Sequence, residues 1–249
     1  MAVTIKSPRE IELMREAGRI LAKTHEELAK NLRPGMSTWD IDHMGEEIIR
    51  SYGCIPSFKN YNGYPASICV SVNDEVVHGI PHKEHFLDEG DIVSLDAGVI
   101  YKGYHSDAAR TYGIGQIDDD AKKLIEVTRQ SFFEGIKFAK AGNHLNDISV
   151  AIQKYAESFG FGVVRDLVGH GIGSHLHEDP EIPNFARKRK GILLQPGMTL
   201  AIEPMITEGS YDVVWLDDDW TVMTEDGGWA AHYENTILIT ENEPEILSL

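Results

Sequence analysis

The chain has 249 residues, 42% of them hydrophobic, and a formal net charge of −17. That length buries a substantial core, as one large domain or two fused halves, and the acidity argues against intrinsic nucleic-acid binding, which needs clustered Lys and Arg. No apolar run approaches a membrane span, the opening MAVTIKSPRE lacks a signal-peptide core, and the only cysteines, Cys54 and Cys69, fit a reducing cytosol and not a structural zinc site.

Ser7-Pro8-Arg9-Glu10 reads as a capping box with proline at the first helical position. Ile11, Met14, Leu21, Leu28 and Leu32 keep helical spacing until Arg33-Pro34-Gly35 stops the helix. Ser37 and Asp40 cap a second helix that reaches about Tyr52-Gly53. The stretch from Phe58 to Pro81, rich in aromatics and glycine, reads as strands and turns. Next, Ile92, Val93 and Leu95 form a buried strand ending at Asp96, Lys102-Gly103 offers a tight turn, and a second strand carries Asp107 back. The aspartates stand eleven residues apart, so this hairpin brings them within about two residues of direct opposition. Two carboxylates that close repel, and burying them unpaired is costly; a metal ion removes both problems. For an isolated pair, two solvated aspartates would be the better reading, but this pair is not isolated. A third helix is predicted from about Asp120 to Lys140 and a fourth from about Asn146 to Phe159. The remainder alternates short strands with turns, with Asp217-Asp218-Asp219 a solvated loop and no linker or low-complexity segment.

An internal repeat sets the architecture. An offset of 107 carries Gly35, Asp40, Ile41, Ser51 and Gly53 onto the identical residues Gly142, Asp147, Ile148, Ser158 and Gly160. The same offset carries Leu87 to Leu194, Gly90 to Gly197, Leu95 to Ile202 and Asp96 to Glu203. At other offsets His78-Gly79-Ile80 matches His170-Gly171-Ile172, and His105-x-Asp107 matches His232-x-Glu234. The predicted fold is therefore α+β, one domain spanning residues 1–249. Its two halves, about 1–115 and 116–249, are related by a pseudo-twofold, with strands joined into one curved antiparallel sheet and helices outside.

Acidic residues from both halves then converge on the axis. The candidate metal ligands are Asp96, Asp107, His170, Glu203 and Glu234. Four carboxylates balance the charge of two divalent ions, and one imidazole among oxygen donors suits Mn²⁺, Fe²⁺ or Co²⁺, with Zn²⁺ and Ni²⁺ also open. Any one of these residues alone would more often be a solvated charge or a cap. That plainer reading is weakest for Glu203, which ends the apolar run Met198–Ile202.

The strings HGIP, SLDAG, HSDAART, GHGIG, HEDP, IEPM and YENT, in this order along essentially the whole chain, resemble the type I methionine aminopeptidases. The resemblance implies the pita-bread (creatinase/aminopeptidase) fold, and it places Asp96, Asp107, His170, Glu203 and Glu234 on the five metal-ligand positions. It puts His78 and His177 on the substrate-contacting histidines, and Tyr61, Tyr64, Cys69, Leu176 and Trp220 around the methionine side chain. For these aromatics, ordinary core packing is as good a reading residue by residue. The implied activity removes the initiator methionine from nascent proteins and peptides when the next residue is small. Two divalent ions would activate a hydroxide against the first peptide carbonyl, with the free α-amine near the metal held by Asp96 and Glu203 shuttling the proton.

The implied partner is a peptide or nascent chain with a free N-terminal methionine, met by a cytoplasmic monomer with no membrane attachment. Transient contact with ribosomes would go with that role, although no basic tail is present to anchor it. Neither the zinc-binding extension nor the type II insertion of other members is present, so a bacterial-like or organelle-like form is expected. Asn62, Leu176 and Asn235 stand where histidine, phenylalanine and histidine are usual, which bears on fine specificity. An X-prolyl aminopeptidase or prolidase would share the fold and ligand types, usually with an additional N-terminal domain. A catalytically dead binding module would have lost ligands, whereas all five positions are filled.

Overall fold

Ser7 and Ser37 each accept from the backbone three residues on, and their own amides donate to the Glu10 and Asp40 carboxylates, so the predicted capping box at Ser7 and the predicted cap at Ser37 both form. They open α1 (Pro8–Asn31) and α2 (Thr38–Ser51). The computed structural model describes residues 3–249. The first half continues through β1 (Ile55–Pro56), β2 (Ile68–Val72), β3 (Glu75–Val77), β4 (Ile92–Tyr101) and β5 (Tyr104–Gly113). The second half opens with α3 (Asp119–Ile136) and α4 (Leu145–Glu157). It goes on through β6 (Gly162–Val163), β7 (Gly169–Gly171), β8 (Glu178–Ile182), β9 (Thr199–Ile202) and β10 (Met205–Thr207). The last strands are β11 (Val213–Trp215), β12 (Val222–Thr224), β13 (Ala230–His232), β14 (Asn235–Leu238) and β15 (Glu245–Ile246). The third helix stops short of the predicted Lys140: Phe138 and Ala139 bond back to Gly135 and Ile136, the tighter i→i+3 pattern that closes a last turn.

The β4–β5 hairpin is the longest ladder, and its turn fixes its register. Lys102 and Gly103 both have positive φ, 49° and 87°, as a two-residue type I′ turn requires. Counting back from it, Asp107 faces Gly98 and Asp96 faces Ala109. Asp96 and Asp107 thus sit one same-face step apart, as the spacing predicts. At Gly98 a side chain would run into Ser57, whose Cβ is 2.6 Å from where a Cβ would stand.

The repeat reappears as duplicated contacts. Gly35 donates to Leu87 and Gly142 to Leu194, while Leu87 donates to Met36 and Leu194 to Asn143. Isolated bridges pair Ser37 with Phe86 and His144 with Leu193, again separated by the same 107 residues. Each half packs its own core. Ile41, Leu87 and Leu95 lie in the first and their counterparts Ile148, Leu194 and Ile202 in the second, all at 0–1% exposure.

All strand pairs among the described residues are antiparallel and form four ladders: β1-β4-β2 with β5 on β4, β13-β10-β6, β11-β12-β3, and β15-β14-β9-β7-β8. The β12–β3 pairing crosses from one half to the other, and further bonds close the gap beside it. The Thr236 hydroxyl, on β14, accepts from the Asp107 amide and donates to the Asp107 carbonyl, both at 2.9 Å, and the Glu234 amide donates to Ala109. The first half stays continuous through its acidic positions. The second is broken at both of its own, because Pro204 after Glu203 has no amide to give a ladder, and Tyr233-Glu234 lie opposite that break.

Candidate metal centre

Asp96 (β4), Asp107 (β5), His170 (β7), Glu203 (between β9 and β10) and Glu234 (between β13 and β14) all line one cavity of about 160 Å³. Ligand atoms of Asp107, His170 and Glu234 lie within 4.8 Å of one another. His170 Nε2 is 3.9 Å from Asp107 Oδ2 and 3.6 Å from Glu203 Oε1. The other ring nitrogen, Nδ1, lies 2.8 Å from the Gly171 carbonyl, which can only accept. Burial, with His177 nearby, holds this imidazole neutral, its pKa down at about 3. The proton therefore sits on Nδ1 and the Nε2 lone pair faces the carboxylates, as a metal ligand requires.

The acidic side chains are paired with no cation of the described residues, although the Arg110 charge acts on Glu234 from behind. Among the described residues no lysine or arginine comes within ion-pair distance of Asp96, Asp107, Glu203 or Glu234. Arg110 is turned to the carbonyls of Ala109, Glu234 and Ser248 and to the Asn235 side chain. Asp96 Oδ1, Asp107 Oδ1 and Glu234 Oε1 are buried without a hydrogen-bond partner. Burial pushes Asp96 up to about 7, against a hydrogen bond with Asp107. Asp107 is driven well above the carboxylate range by burial and by Asp96 and Glu203, Glu203 by burial and Asp96, and Glu234 by burial and Asp107. Four crowded, dry carboxylates with orphaned oxygens and one imidazole lone pair are a donor set that divalent cations fit.

The rest of the cavity divides by chemistry. Phe58, Tyr64, Cys69, Leu176 and Trp220 give an apolar wall. Tyr64 and Trp220 meet edge to face at 5.0 Å, and the Tyr64 hydroxyl donates to the Gly79 carbonyl at 2.9 Å, which leaves its ring for packing. His78 and His177 stand at the polar side. His78 has a φ of 60°, a conformation a non-glycine residue holds only when its surroundings enforce it. The His177 ring lies edge-on to His170 with centroids 4.2 Å apart, and its Nδ1 is 2.7 Å from the Tyr61 hydroxyl. With that hydroxyl donating, the neutral ring carries its proton on Nε2. His175 turns away on the exposed surface, against Ser174.

All the site residues singled out in the sequence thus meet in one place, joined by Phe58 and by Asn62 of Tyr61-Asn62-Gly63. Sequence reasoning missed three neighbours. His232 is buried with neither ring nitrogen hydrogen-bonded, its Nε2 3.9 Å from Glu203 Oε2; its place in the H-x-E repeat was the available signal. Asn184 holds the Glu203 carbonyl at 2.9 Å. Lys6 pairs with Glu178, next to His177, at 2.6 Å, and nothing local in the sequence announces that bond.

Comparison with known proteins sets this geometry in a family. The family model described as "Metallopeptidase family M24" matches residues 12–241. A relative from Clostridium acetobutylicum named methionine aminopeptidase is 56% identical over 247 residues, covering 99% of each chain. The crystal structure of a methionine aminopeptidase from Thermotoga maritima superposes with a TM-score of 0.97 at 49% identity, covering 99% of both chains. An Xaa-Pro dipeptidase from Bacillus anthracis matches with a TM-score of 0.77 at 26% identity, and the match covers 98% of this chain but 61% of that one.

Proposed function

The chain belongs to metallopeptidase family M24 and has its pita-bread fold, and we propose from this that it is a metal-dependent aminopeptidase removing N-terminal methionine from peptides and nascent proteins whose second residue is small. The observation that carries the reading is one cavity that joins an apolar wall to a cluster of four carboxylates and an imidazole. Methionine is unbranched and polarisable, so its side chain suits the wall of Tyr64, Cys69, Leu176 and Trp220.

Asp96, Asp107, His170, Glu203 and Glu234 would hold two divalent ions, with manganese, iron, cobalt, zinc and nickel all compatible with this donor set. Bound there, they supply an acidified water and a polarised carbonyl. The protein's own groups do the rest. The pocket fixes the methionine side chain and leaves the free α-amine at the Asp96 end. His177, its Nδ1 engaged by Tyr61, offers Nε2–H to the carbonyl oxygen as charge develops there. Glu203 takes a proton on its carboxylate and returns it to the departing amine, while His78 contacts the substrate.

One chain supplies every donor and the whole cavity, which supports a single catalytic domain working as a monomer. Its buried free thiols Cys54 and Cys69 suit a reducing cytosol. The deciding experiment compares Met-Ala-Ser with Gly-Pro peptides, with and without chelator. Cleavage of Met-Ala-Ser alone, abolished by chelator and restored by a divalent ion, is expected. Preference for Gly-Pro would assign a prolidase, and no turnover after metal addition would assign a binding module.

A further inference from the structure

The most basic segment of this acidic chain is Arg187-Lys188-Arg189-Lys190, between β8 and β9, with all four residues exposed. Its backbone is pinned while its side chains stay exposed, the Arg187 guanidinium lying 4.7 Å from the centre of the Phe185 ring. Asn146 at the start of α4 donates from its amide to the Lys190 carbonyl at 3.0 Å, and its side chain accepts from the Arg187 amide at 2.6 Å. Leu145 donates to Ile192 at 2.9 Å, and Gln153 accepts from the Ala186 amide at 2.7 Å. None of the four cations makes an ion pair with any carboxylate among the described residues. Arg187, Lys188 and Arg189 line a hollow of about 470 Å³ that reaches Glu181 on β8.

That hollow is related to the active site through shared lining residues. A second hollow of about 300 Å³ runs along β8 from His170 and His177, both shared with the central cavity, to Glu181, shared with the basic hollow. We propose that this track is the path of the substrate polypeptide beyond the scissile bond, and that Arg187, Lys188 and Arg189 bind acidic side chains downstream in it. The inference rests on the aminopeptidase reading above. From His177 to Glu181 along a strand is about 13 Å at roughly 3.3 Å per residue, a span that about four extended substrate residues cover. The basic hollow therefore meets about the fifth to eighth residue of the substrate. Glu181 opposes an acidic ligand, but three cations outnumber it. An RNA contact fits less well, because backbone binding needs an extended cationic surface and this patch is four residues long in a chain of net charge −17.

The test uses the metal-loaded full chain and octapeptides that share Met-Ala-Ser-Gly and end in four residues alternating Asp and Glu, four lysines or four serines, each rate divided by that on Met-Ala-Ser. The acidic octapeptide is expected to exceed the lysine one roughly three- to tenfold in kcat/KM, from two or three exposed ion pairs, chiefly through KM. The preference should vanish at about 0.5 M KCl, where the screening length falls to a few ångströms. It should also vanish in the Arg187→Ser/Lys188→Ser/Arg189→Ser variant, whose substitutions alter only exposed side chains. Equal rates for all three octapeptides in the unaltered protein, or a preference that survives in the variant, overturns the proposal. So does a variant that keeps its peptide preference but loses binding to a single-stranded RNA 20-mer, which would make the patch a nucleic-acid contact. Failure to cleave Met-Ala-Ser itself would strike the aminopeptidase reading instead.

Discussion

Replacing Lys6 with methionine tests how the loop that carries His177 is held. Lys6 Nζ lies 2.6 Å from Glu178 Oε2, with the two side chains 5% and 4% exposed. Thr4 donates to the same oxygen at 2.6 Å, and the His175 amide donates to Oε1 at 3.2 Å. Burial pushes the Glu178 carboxyl up, but the bonds from Lys6 and Thr4 outweigh it and hold the group below its usual range. Lys6→Met keeps most of the packed volume and strands a buried carboxylate, an effect worth about 3–5 kcal/mol. At about 2–4 °C per kcal/mol for a domain of this size, the metal-loaded protein should melt roughly 6–20 °C lower near neutral pH. Because the folded-state pKa of Glu178 is depressed, the stability from this pair is present above the unfolded carboxylate value and is lost as pH falls through the depressed one. The gap between Lys6→Met and the unaltered protein should therefore close toward acid pH. Adding Glu178→Gln removes the stranded charge, so the double variant should melt well above the sum of the single losses. Metal content should be retained while kcat falls, because His177 adjoins the disturbed residue. A melting shift under about 2 °C, or strictly additive losses in the double variant, would refute the argument.

His177→Ala should lose about 10²–10³ in kcat with both metals kept and KM little changed, whereas His175→Ala should behave as the unaltered protein; steady-state kinetics with metal analysis distinguishes the two. Asp107→Asn or Glu234→Gln should weaken metal binding and lower the melting temperature of the loaded form, and full metal content with full activity in Asp107→Asn would show the cluster misread. In the metal-free protein Asp96, with its pKa raised to about 7, favours the folded state most below its unfolded value near 3.9 and loses that contribution as pH rises through about 7. Chelator-treated Asp96→Asn should therefore gain in melting temperature over the unaltered protein between about pH 5 and pH 8, and a constant difference would count against the burial argument. Norleucine should replace methionine at the first position, since one methylene-sized change in an apolar pocket is worth about 1–3 kcal/mol; efficient cleavage of Met-Leu or Met-Lys peptides would argue against the specificity proposed.

What could be read from the sequence was whatever short-range chemistry determines. Helix starts are written in Ser7 and Ser37, whose side chains accept bonds from backbone three residues away. The facing of Asp96 and Asp107 follows from a two-residue turn, because hairpin register is counted outward from it. The meeting of Glu203 and Glu234 with them was reachable through the repeat, which converts a distant contact into a copied local one, and that of His170 through the resemblance of the ordered motifs. Contacts with no copy stayed hidden. Lys6–Glu178 joins residues 172 apart, Tyr61–His177 116 apart and Asp107–Thr236 129 apart. Some of these residues stood out for other reasons, but nothing beside them in sequence announces the pairing. The end of α3 was overrun for a related reason: Phe138 and Ala139 keep apolar spacing, and only the turn bonds to Gly135 and Ile136 stop the helix.

The two halves differ most where their acidic residues sit, and the difference follows from the side chains used. Asp96 and Asp107 project from unbroken strands, where a short side chain on a fixed pleat leaves its carboxylate little freedom. Glu203 and Glu234 sit in the gaps between β9 and β10 and between β13 and β14, where the backbone is released from the ladder and a longer side chain is needed to reach the same point. The gaps are secured individually: Asn184 bonds the Glu203 carbonyl, Tyr233 donates to Pro204, and the Glu234 amide donates to Ala109 across the interface between the halves. Arg110 closes the same seam from behind, bonding the Glu234 carbonyl and the Asn235 side chain with its guanidinium stacked 4.4 Å from the Tyr233 ring. Asparagine at 235 takes part in that seam by accepting from Arg110 and from Ser248, so its departure from the family's usual histidine is absorbed behind the carboxylates and not in the pocket. Asn62 and Leu176, by contrast, line the cavity itself. Of the three departures, these two are where a difference in substrate selection has a structural route.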